Sequence, residues 1–355
     1  MSRFVQLHFL TSYAPSNLNR DDLGRPKTAM FGGTLRLRVS SQSLKRAWRT
    51  SEVFEHDLEG WIGTRTKEFG NIVFQELSQA IDAKEAHEIS RKVAETFGKP
   101  VKDEGETKEK SRRIEQLAHL TPGEMKELKK LAKRLAAEKR GPSDDELASL
   151  ITTATGAADI ALFGRMLAAK PRFNVEAAAQ VAHAISVHKV AIEDDYFTAV
   201  DDLNRGEEDM GAGHVGTLEY AAALLYHYVC VDREKLTENL GGDRALAGKT
   251  MGALIRACLT VAPIGKQATF ASTARASYAL LEKGDHQPRS LSVAFLDHVH
   301  TTRPDQPLLS VAIERLRDTR SKFEKVYEEP TESIELDATK GEGSLSDLVR
   351  FVTEA

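Results

Sequence analysis

The chain has 355 residues, of which 41% are hydrophobic, so it can bury a sizeable core and is not disordered throughout. It has only two cysteines, Cys230 and Cys258, which excludes a disulfide framework and indicates a reducing, cytoplasmic environment. No apolar run is long enough to cross a bilayer, and the N-terminus lacks the apolar block of a signal peptide, so we expect no membrane association.

The net charge of −4 argues at first against a nucleic-acid partner, but the charge is unevenly distributed. Residues 1–50 contain nine lysines and arginines against two aspartates, a net charge of +7, so the other 305 residues carry −11. A cationic surface on an acidic body suits a phosphate-bearing partner. The alternative interpretation is a charged face exposed to solvent without a ligand.

Residues 3–53 show patterns of two strands, a loop between them and a helix. Residues 3–11 predict a strand, 12–34 a long polar loop, 35–40 a second strand and 42–53 a helix. In the second strand the alternation puts Leu35, Leu37 and Val39 inward and Arg36, Arg38 and Ser40 outward. In the helix the apolar stripe is Leu44, Ala47 and Trp48, and Lys45 and Arg49 lie one turn apart on the opposite side.

Residues 58–175 change to a charged, helical composition and are predicted to form an inserted helical domain. Two helix starts carry the spacing of a capping box, Thr121 with Glu124 and Ser143 with Glu146.

Strand patterns resume at 181–187 and at 218–231, followed by a helix at 243–260, a strand at 271–281 and a helix at 308–327. Between the first two lies a polar excursion, 194–216, that keeps aromatic and β-branched residues and predicts a two-stranded projection. Without the insertions the order is strand, helix, strand, strand, helix, strand. This predicts an α+β fold of the ferredoxin-like type that many RNA-binding modules share, although the aromatic RNA-stacking signature of those modules is absent.

Several motifs are weaker than they look. The segment 241–250, GGDRALAGKT, has five residues where a P-loop has four between its glycines, so we expect a helix start there. None of the 11 histidines has zinc-ligand spacing, and we predict no metal site and no cofactor. The doublet Asp21-Asp22 could hold Mg²⁺ for phosphodiester cleavage. A salt bridge from Asp22 to Arg20 or Arg25 is the simpler expectation.

The strongest signal lies in residues 19–49, where cations, serines and glycines follow one another. The predicted strand carries arginines on one face and leads into a helix whose first turn is Ser-Ser-Gln-Ser. Free backbone N–H groups, hydroxyls and the positive end of a helix dipole would meet there, and together they favour phosphate binding. Gly32 and Gly33 would allow another backbone to approach closely.

At these positions the sequence runs LNRDD (18–22), FGG (31–33) and RLRVSSQSLKRAWR (36–49). It resembles the backbone subunit of the type I-E CRISPR Cascade surveillance complex, a crRNA-binding family of the RAMP superfamily that serves antiviral defence. The resemblance continues in the same order through DIALFGRM (159–166), AHAI (182–185), DYFTAVDDL (195–203), HVGT (214–217) and ENLGG (238–242).

The resemblance implies an RNA-recognition-like palm (1–57, 176–193 and 217–355), helical fingers (58–175) and a β-hairpin thumb (194–216). It implies copies of the chain, six of them, stacked head to tail as a helical filament along a crRNA that pairs with target DNA. Further implied partners are the large subunit, the small subunits, the 5′-handle subunit and the crRNA endoribonuclease. The implied guide-backbone ligands are Arg20, Lys27, Ser40, Gln42, Lys45 and Arg49, and the implied base contacts are Met166, Phe197 and Thr198.

Two other functions remain open. The resemblance implies a chain that is not an enzyme, but related backbone subunits of other CRISPR types cut RNA, so a metal-dependent ribonuclease of the RAMP type using Asp21 or Asp22 is one alternative. The other is a helical scaffold with a solvated basic edge.

Overall fold

The computed structural model describes residues 2–102, 108–153, 156–167, 170–199, 214–300 and 306–354. The strands are Phe4–Ser16 (β1), Thr28–Phe31 (β2), Thr34–Val39 (β3), Thr64–Thr66 (β4), Ala118–Leu120 (β5), Ala179–Val181 (β6), Ala184–Ser186 (β7), Glu193–Ala199 (β8), His214–Asp232 (β9), Tyr278–Gly284 (β10) and Glu332–Asp337 (β11).

The α-helices are Ser41–Arg49 (α1), Glu52–Asp57 (α2), Phe69–Leu77 (α3), Ala83–Glu95 (α4), Lys108–Ser111 (α5), Pro122–Glu138 (α6), Asp144–Ala148 (α7), Ala158–Phe163 (α8), Arg233–Asn239 (α9), Arg244–Thr260 (α10), Gln267–Phe270 (α11), Leu308–Tyr327 (α12) and Leu345–Thr353 (α13). They divide between two compact units. The sheet unit comprises 1–54, 181–230 and 251–355, and the helical unit comprises 55–180 and 231–250.

The sheet unit is built on one long sheet whose strands lie in the order β11-β10-β1-β9-β7-β3-β2. Its central strands, β10-β1-β9-β7, have the 4-1-3-2 order of a split βαβ fold, with α1 preceding β7 and α10 preceding β10 along the chain. The predicted α+β, ferredoxin-like fold class is therefore confirmed. Strands β2 and β3 form a hairpin that extends the sheet at the β7 edge.

Strand β1 is buried on both faces from Val5 to Thr11. Val5, Leu7 and Phe9 form the predicted inward face and are at most 2% exposed. Leu10, on the other face, joins a cluster with β10, α12 and the 3₁₀ turn Ser292–Phe295. The register of β1 on β10, with Leu7 opposite Leu281, keeps both apolar rows continuous across the two strands.

The second face of the sheet also buries a charge network centred on Glu282 in β10. Its carboxylate accepts hydrogen bonds from His8 Nε2 at 3.0 Å, from both terminal nitrogens of Arg289 at 3.0 and 3.2 Å, and from Arg320 Nε at 2.8 Å. These donors hold the pKa of Glu282 below its ordinary range although burial works in the opposite direction. The network ties β1, β10, α12 and the segment after β10 together.

The imidazole ring of His227 in β9 is buried. Its ring stacks on Phe9 with centroids 4.3 Å apart and an interplanar angle of 8°, and neither ring nitrogen has a partner in the part of the chain that the structure describes. Burial lowers the pKa of His227 to about 3. An unfolded histidine titrates near 6.5, so the unfolded state binds more protons as the pH falls from about 6.5 towards 3, and the fold loses stability in that window.

We therefore expect His227→Phe to stabilise the protein more in acid than in alkali. The ring stack on Phe9 is kept, and about 2 kcal/mol of proton-linked destabilisation disappears near pH 5 but not near pH 8. Urea denaturation at the two pH values measures this difference. His56→Phe, at a histidine whose side chain is 90% exposed, is the control and should show no such gain. A gain of equal size at both pH values would contradict the assignment of His227 as a buried neutral base.

The helical unit has a core of its own, formed mainly by α3, α4 and α6, in which Phe69, Val93 and Leu128 are at most 1% exposed. Both predicted capping boxes are present, at Thr121 and Ser143. Glu124 also pairs with Arg165 at 2.7 Å inside the unit.

The unit begins and ends close to the predicted insertion at 58 and 175, but it also contains 231–250, which the sequence assigned to the palm. The physical reason is α9, whose Asn239 donates hydrogen bonds to the carbonyls of Ala161 and Glu176 at 3.0 and 2.8 Å.

Other element boundaries also differ from the sequence predictions. Strand β1 continues to Ser16, so the predicted loop 12–34 is shorter and contains β2. The predicted helix 42–53 ends at Arg49, where Thr50 leaves the helical conformation. The predicted strand 271–281 begins only at Tyr278. The helices predicted at 243–260 and 308–327 are α10 and α12. At 241–250 the chain starts α10, with Asp243 Oδ1 accepting from Leu246 N–H at 2.9 Å.

Candidate nucleic-acid interface

Residues 17–27 form a closed loop that leads from β1 to β2. The side-chain amide of buried Asn17 donates to the carbonyls of Gly24 and Glu219 at 3.0 and 2.9 Å, which ties the loop to β9. Lys27 N–H donates to the Asn19 carbonyl at 2.8 Å and closes the other end. Arg20 is therefore presented, exposed, on a loop with fixed ends.

The start of α1 adjoins this loop, but its polar groups are less free than the sequence predicted. Ser40 is the N-cap and only 8% exposed, and its hydroxyl accepts from Ser43 N–H at 3.3 Å. Ser40 N–H donates to Asn19 Oδ1 at 2.9 Å. Ser41 N–H donates to His183 Nδ1 at 3.3 Å. The prediction of several free N–H groups at this helix end is wrong, because the loop and His183 already use them.

His183, which follows β6, is the residue that sequence reasoning missed. Its Nδ1 accepts from Arg38 Nη1 at 3.1 Å as well as from Ser41, so the neutral ring carries its proton on Nε2. Burial lowers the pKa of His183, and the charges of Arg38, Lys27 and Lys45 lower it further. Three cations thus surround one neutral acceptor. The antiparallel pairing of β3 with β7, Val39 opposite Ala184, brings these residues together.

The side chains of Lys27, Arg38 and Lys45 have no carboxylate partner among the described residues. Burial lowers the pKa of Lys45 because it removes water from the charged ammonium, and an anion next to that ammonium would offset the cost of this desolvation. Gln42 and Arg46 are exposed on the same helix, while Lys45 and Arg49 are partly buried. Loop, strand and helix thus present a cationic surface, which we call the basic face: Arg20, Lys27, Arg38, Gln42, Lys45, Arg46 and Arg49.

Arg36 does not belong to the basic face, contrary to the predicted alternation. It is 0% exposed and donates to the carbonyls of Ser186 at 2.8 Å and Phe295 at 2.9 Å. The segment around Phe295 covers the outer side of β3, and Arg36 links this segment to β3 and β7 through its hydrogen bonds. Gly32 serves the same contact, because a Cβ built there would lie 1.6 Å from the Leu296 carbonyl oxygen. The backbone that approaches this glycine is therefore the protein's own.

The predicted thumb is a hairpin in its described part. Strand β8 pairs with β9 from Glu193 opposite Tyr220 to Ala199 opposite His214. The rest of the 194–216 prediction, residues 200–213, lies outside the described residues. Phe197 is 44% exposed on β8, and its ring lies across Gly216, where a Cβ would be 2.4 Å from the ring. Thr198 is exposed next to it. Met166, 79% exposed, lies in the helical unit.

We expect Phe197→Ala to leave the fold nearly intact, because the side chain is 44% exposed. If the hairpin meets the bases, the substitution should weaken pairing with a complementary strand more than it weakens retention of the guide. Thermal melting and strand-binding titrations measure the two effects. A melting temperature lowered as far as by a core truncation would contradict the exposed placement.

The acidic doublet of the loop has a structural use. Asp21 Oδ1 accepts from the N–H groups of Leu23 and Arg25, both at 2.9 Å. The guanidinium of Arg25 pairs with Glu219 at 3.0 Å. The predicted salt bridge from Asp22 to Arg20 or Arg25 is therefore wrong among the described residues, since β9 supplies the carboxylate for Arg25 instead. Among the described residues no group of three or more histidine, cysteine or acidic side chains is placed to hold a metal ion.

No described helix combines the length and the apolar character that a bilayer crossing needs.

Comparison with known proteins gives further evidence on the family of this chain. A family model described as CT1975-like protein matches residues 5–347. The chain belongs to the CT1975-like family.

Solved relatives of this CT1975-like protein share its architecture over the full length. A chain from a "CRISPR RNA-guided surveillance complex, pre-nicking" superposes with a TM-score of 0.82 at 29% identity, covering 98% of this chain and 99% of the other. A chain from a "CRISPR RNA-guided surveillance complex" superposes with a TM-score of 0.73 at 25% identity, covering 99% and 100%. The search of curated proteins returned no match. The resemblance to a subunit of a CRISPR surveillance complex is thus confirmed.

Proposed function

We propose that this CT1975-like protein is the non-catalytic backbone subunit of a type I-E CRISPR interference complex. It holds a crRNA by its sugar–phosphate backbone and presents the bases for pairing with target DNA. Copies stack head to tail along the guide, and the large subunit, the small subunits, the 5′-handle subunit and the crRNA endoribonuclease join them in the cytoplasm. The likeness to chains of CRISPR RNA-guided surveillance complexes supports this proposal.

The observation that carries the proposal is the cluster of Lys27, Arg38 and Lys45 around His183. Three cations have no carboxylate partner among the described residues, and they lie next to a neutral imidazole that can donate from Nε2. Such a cluster suits a phosphodiester, whose negative charge is shared by two non-bridging oxygens. Contacts to phosphate carry no base information, which is what a holder of interchangeable guides requires.

Within this proposal the basic face binds the guide backbone and the hairpin meets the bases. Arg20, Lys27 and Lys45 supply cations, and Gln42 supplies an exposed amide. Ser40 acts mainly as the cap that fixes the helix, although its hydroxyl hydrogen is still available to a phosphate oxygen. Met166, Phe197 and Thr198 contact the bases. Arg38 and His183 are ligands that we add to the set derived from the sequence.

We expect Lys45→Gln to weaken binding of unrelated single-stranded RNAs to the same extent. Loss of one phosphate contact should lower the slope of log affinity against log salt by about 0.7, which is about fivefold in affinity near 0.1 M salt. Fluorescence anisotropy over a salt series measures both quantities. Lys325→Gln, at an exposed lysine of α12, is the matched control and should change neither. Losses that differ between RNA sequences would contradict a backbone contact.

The ribonuclease alternative depends on the acidic doublet, of which Asp21 is already engaged by the loop backbone. Only exposed Asp22 is then free to act with a metal ion. Incubation of the assembled protein with complementary RNA and Mg²⁺ distinguishes the functions. Cleavage that Asp22→Ala abolishes would replace the non-catalytic assignment.

A further inference from the structure

A second stretch of the chain shares the charge pattern of the N-terminus. The 38 residues from Arg244 to Leu281 contain five lysines and arginines and no acidic residue. This is unexpected in a chain whose residues after position 50 carry a net −11. Two of the five cations, Lys266 and Arg275, lie in the irregular part between α10 and β10. We call residues 264–275 the linker segment.

The linker segment is fixed against the loop that presents Arg20. Gly265 packs on the first residues of this loop so closely that a Cβ would lie 2.1 Å from the Leu18 carbonyl oxygen and 3.1 Å from that of Asn17. The same Asn17 ties the loop to β9 through its amide. Further along the segment, the ring of Phe270 lies 6.2 Å from the ring of Tyr220, at the base of the β8–β9 hairpin. The segment is thus next to both elements to which guide contacts are assigned.

The backbone of the linker segment has an unusual conformation. Lys266 and Ala271, at the two ends of the single turn α11, have φ angles of +49° and +48°, a region that residues other than glycine rarely adopt. Such conformations persist where the surroundings impose them, and they concentrate at ligand sites. The residues between them do not explain the strain by burial, because Ala268 and Thr269 are exposed.

The two cations of the segment are also available. Lys266 is partly buried, Arg275 is exposed, and neither forms an ion pair or hydrogen bond through its side chain within the described part of the chain. We infer that the linker segment is a second phosphate-binding subsite, which holds the RNA backbone through Lys266 and Arg275 as it passes between the Arg20 loop and the hairpin. This inference rests on the proposed guide-holding function.

The test compares neutralising variants of the whole chain in binding a labelled single-stranded oligouridylate across a salt series. Lys266→Gln and Arg275→Gln should each weaken binding about fivefold near 0.1 M salt and lower the salt slope by about 0.7. Lys249→Gln is the matched control, because it removes an exposed cation of the same acid-free stretch that lies on α10 rather than in the linker segment. It should reduce affinity less than twofold.

The outcomes separate the two proposals. Loss of affinity in Lys45→Gln but not in Lys266→Gln or Arg275→Gln leaves the guide-holding function and overturns the subsite. An equal loss in Lys249→Gln also overturns it, since the effect would then be one of overall charge. If the unmodified chain does not bind the oligouridylate, the guide-holding function fails and the subsite fails with it. Unchanged thermal melting of the variants ensures that binding and not folding is compared.

Discussion

Replacing Glu282 by glutamine should cost about 3 kcal/mol of folding free energy, because it removes the buried carboxylate that two partly buried arginines share. The glutamine keeps the shape of the side chain but not the charge that Arg289 and Arg320 meet at 3.0 and 2.8 Å. The Glu282 side chain is 0% exposed, whereas those of Arg289 and Arg320 are 15% and 19% exposed. Arg320 also keeps its ion pair with Glu324, so the loss is compensated only in part.

Glu335→Gln is the matched control for this prediction. It removes the partner of Arg317 from an ion pair in which the side chains are 31% and 37% exposed, and such pairs contribute less than about 1 kcal/mol. Both variants are compared by urea denaturation. The midpoint urea concentration measures the change in stability, provided that the slope of unfolding free energy against urea concentration is unchanged. A cost for Glu282→Gln no greater than that for Glu335→Gln would show that the network is not a main support of the fold.

The same network bears on the basic face. Arg289 anchors the segment that follows β10, and that segment supplies the Phe295 carbonyl to which Arg36 donates. If this segment becomes mobile, Arg36 should lose its hydrogen bond to the Phe295 carbonyl, and β3, which contains Arg38, should be disturbed. We expect RNA affinity to fall with Glu282→Gln even at temperatures where the protein remains folded.

The contrast between Arg36 and Arg38 shows what a sequence can predict here. Both lie at alternate positions of one strand, and the alternation gave both the same face. The structure separates them because residues 259 and 260 positions away in the chain cover one of them, and no local pattern contains that information. Apolar periodicity predicted the ferredoxin-like order, α10 and α12, since those depend on burial that recurs along the sequence.

His183 was missed for a related reason. A lone histidine in a short strand pattern indicates nothing by itself, and its role comes from its position beside Arg38 and Ser41 after two strands pair. The free N–H groups expected at the start of α1 were wrong because a loop residue, Asn19, and this histidine occupy them. The base contacts assigned to Met166, Phe197 and Thr198 stay predictions, which strand-binding titrations of variants test.

Assembly of this chain should depend on RNA and follow its length. A contact in which one copy grips the next is heterologous, and such contacts build open arrays when their rotation does not close a ring. Each copy carries a net charge of −4, so copies repel weakly, whereas the segment 1–50 carries +7 and needs a polyanion to neutralise it. RNA therefore supplies both the template and the counter-charge.

The most direct test of the guide-holding account is the mass of the assembly, measured by light scattering with no RNA and with single-stranded RNAs of two lengths. We expect small species without RNA, and masses that rise with RNA length and collapse on ribonuclease treatment. The double variant Lys27→Gln, Lys45→Gln should remain small in all samples, because the basic face has lost two of its cations. A closed species of constant mass, formed equally without RNA and indifferent to ribonuclease, would contradict the account.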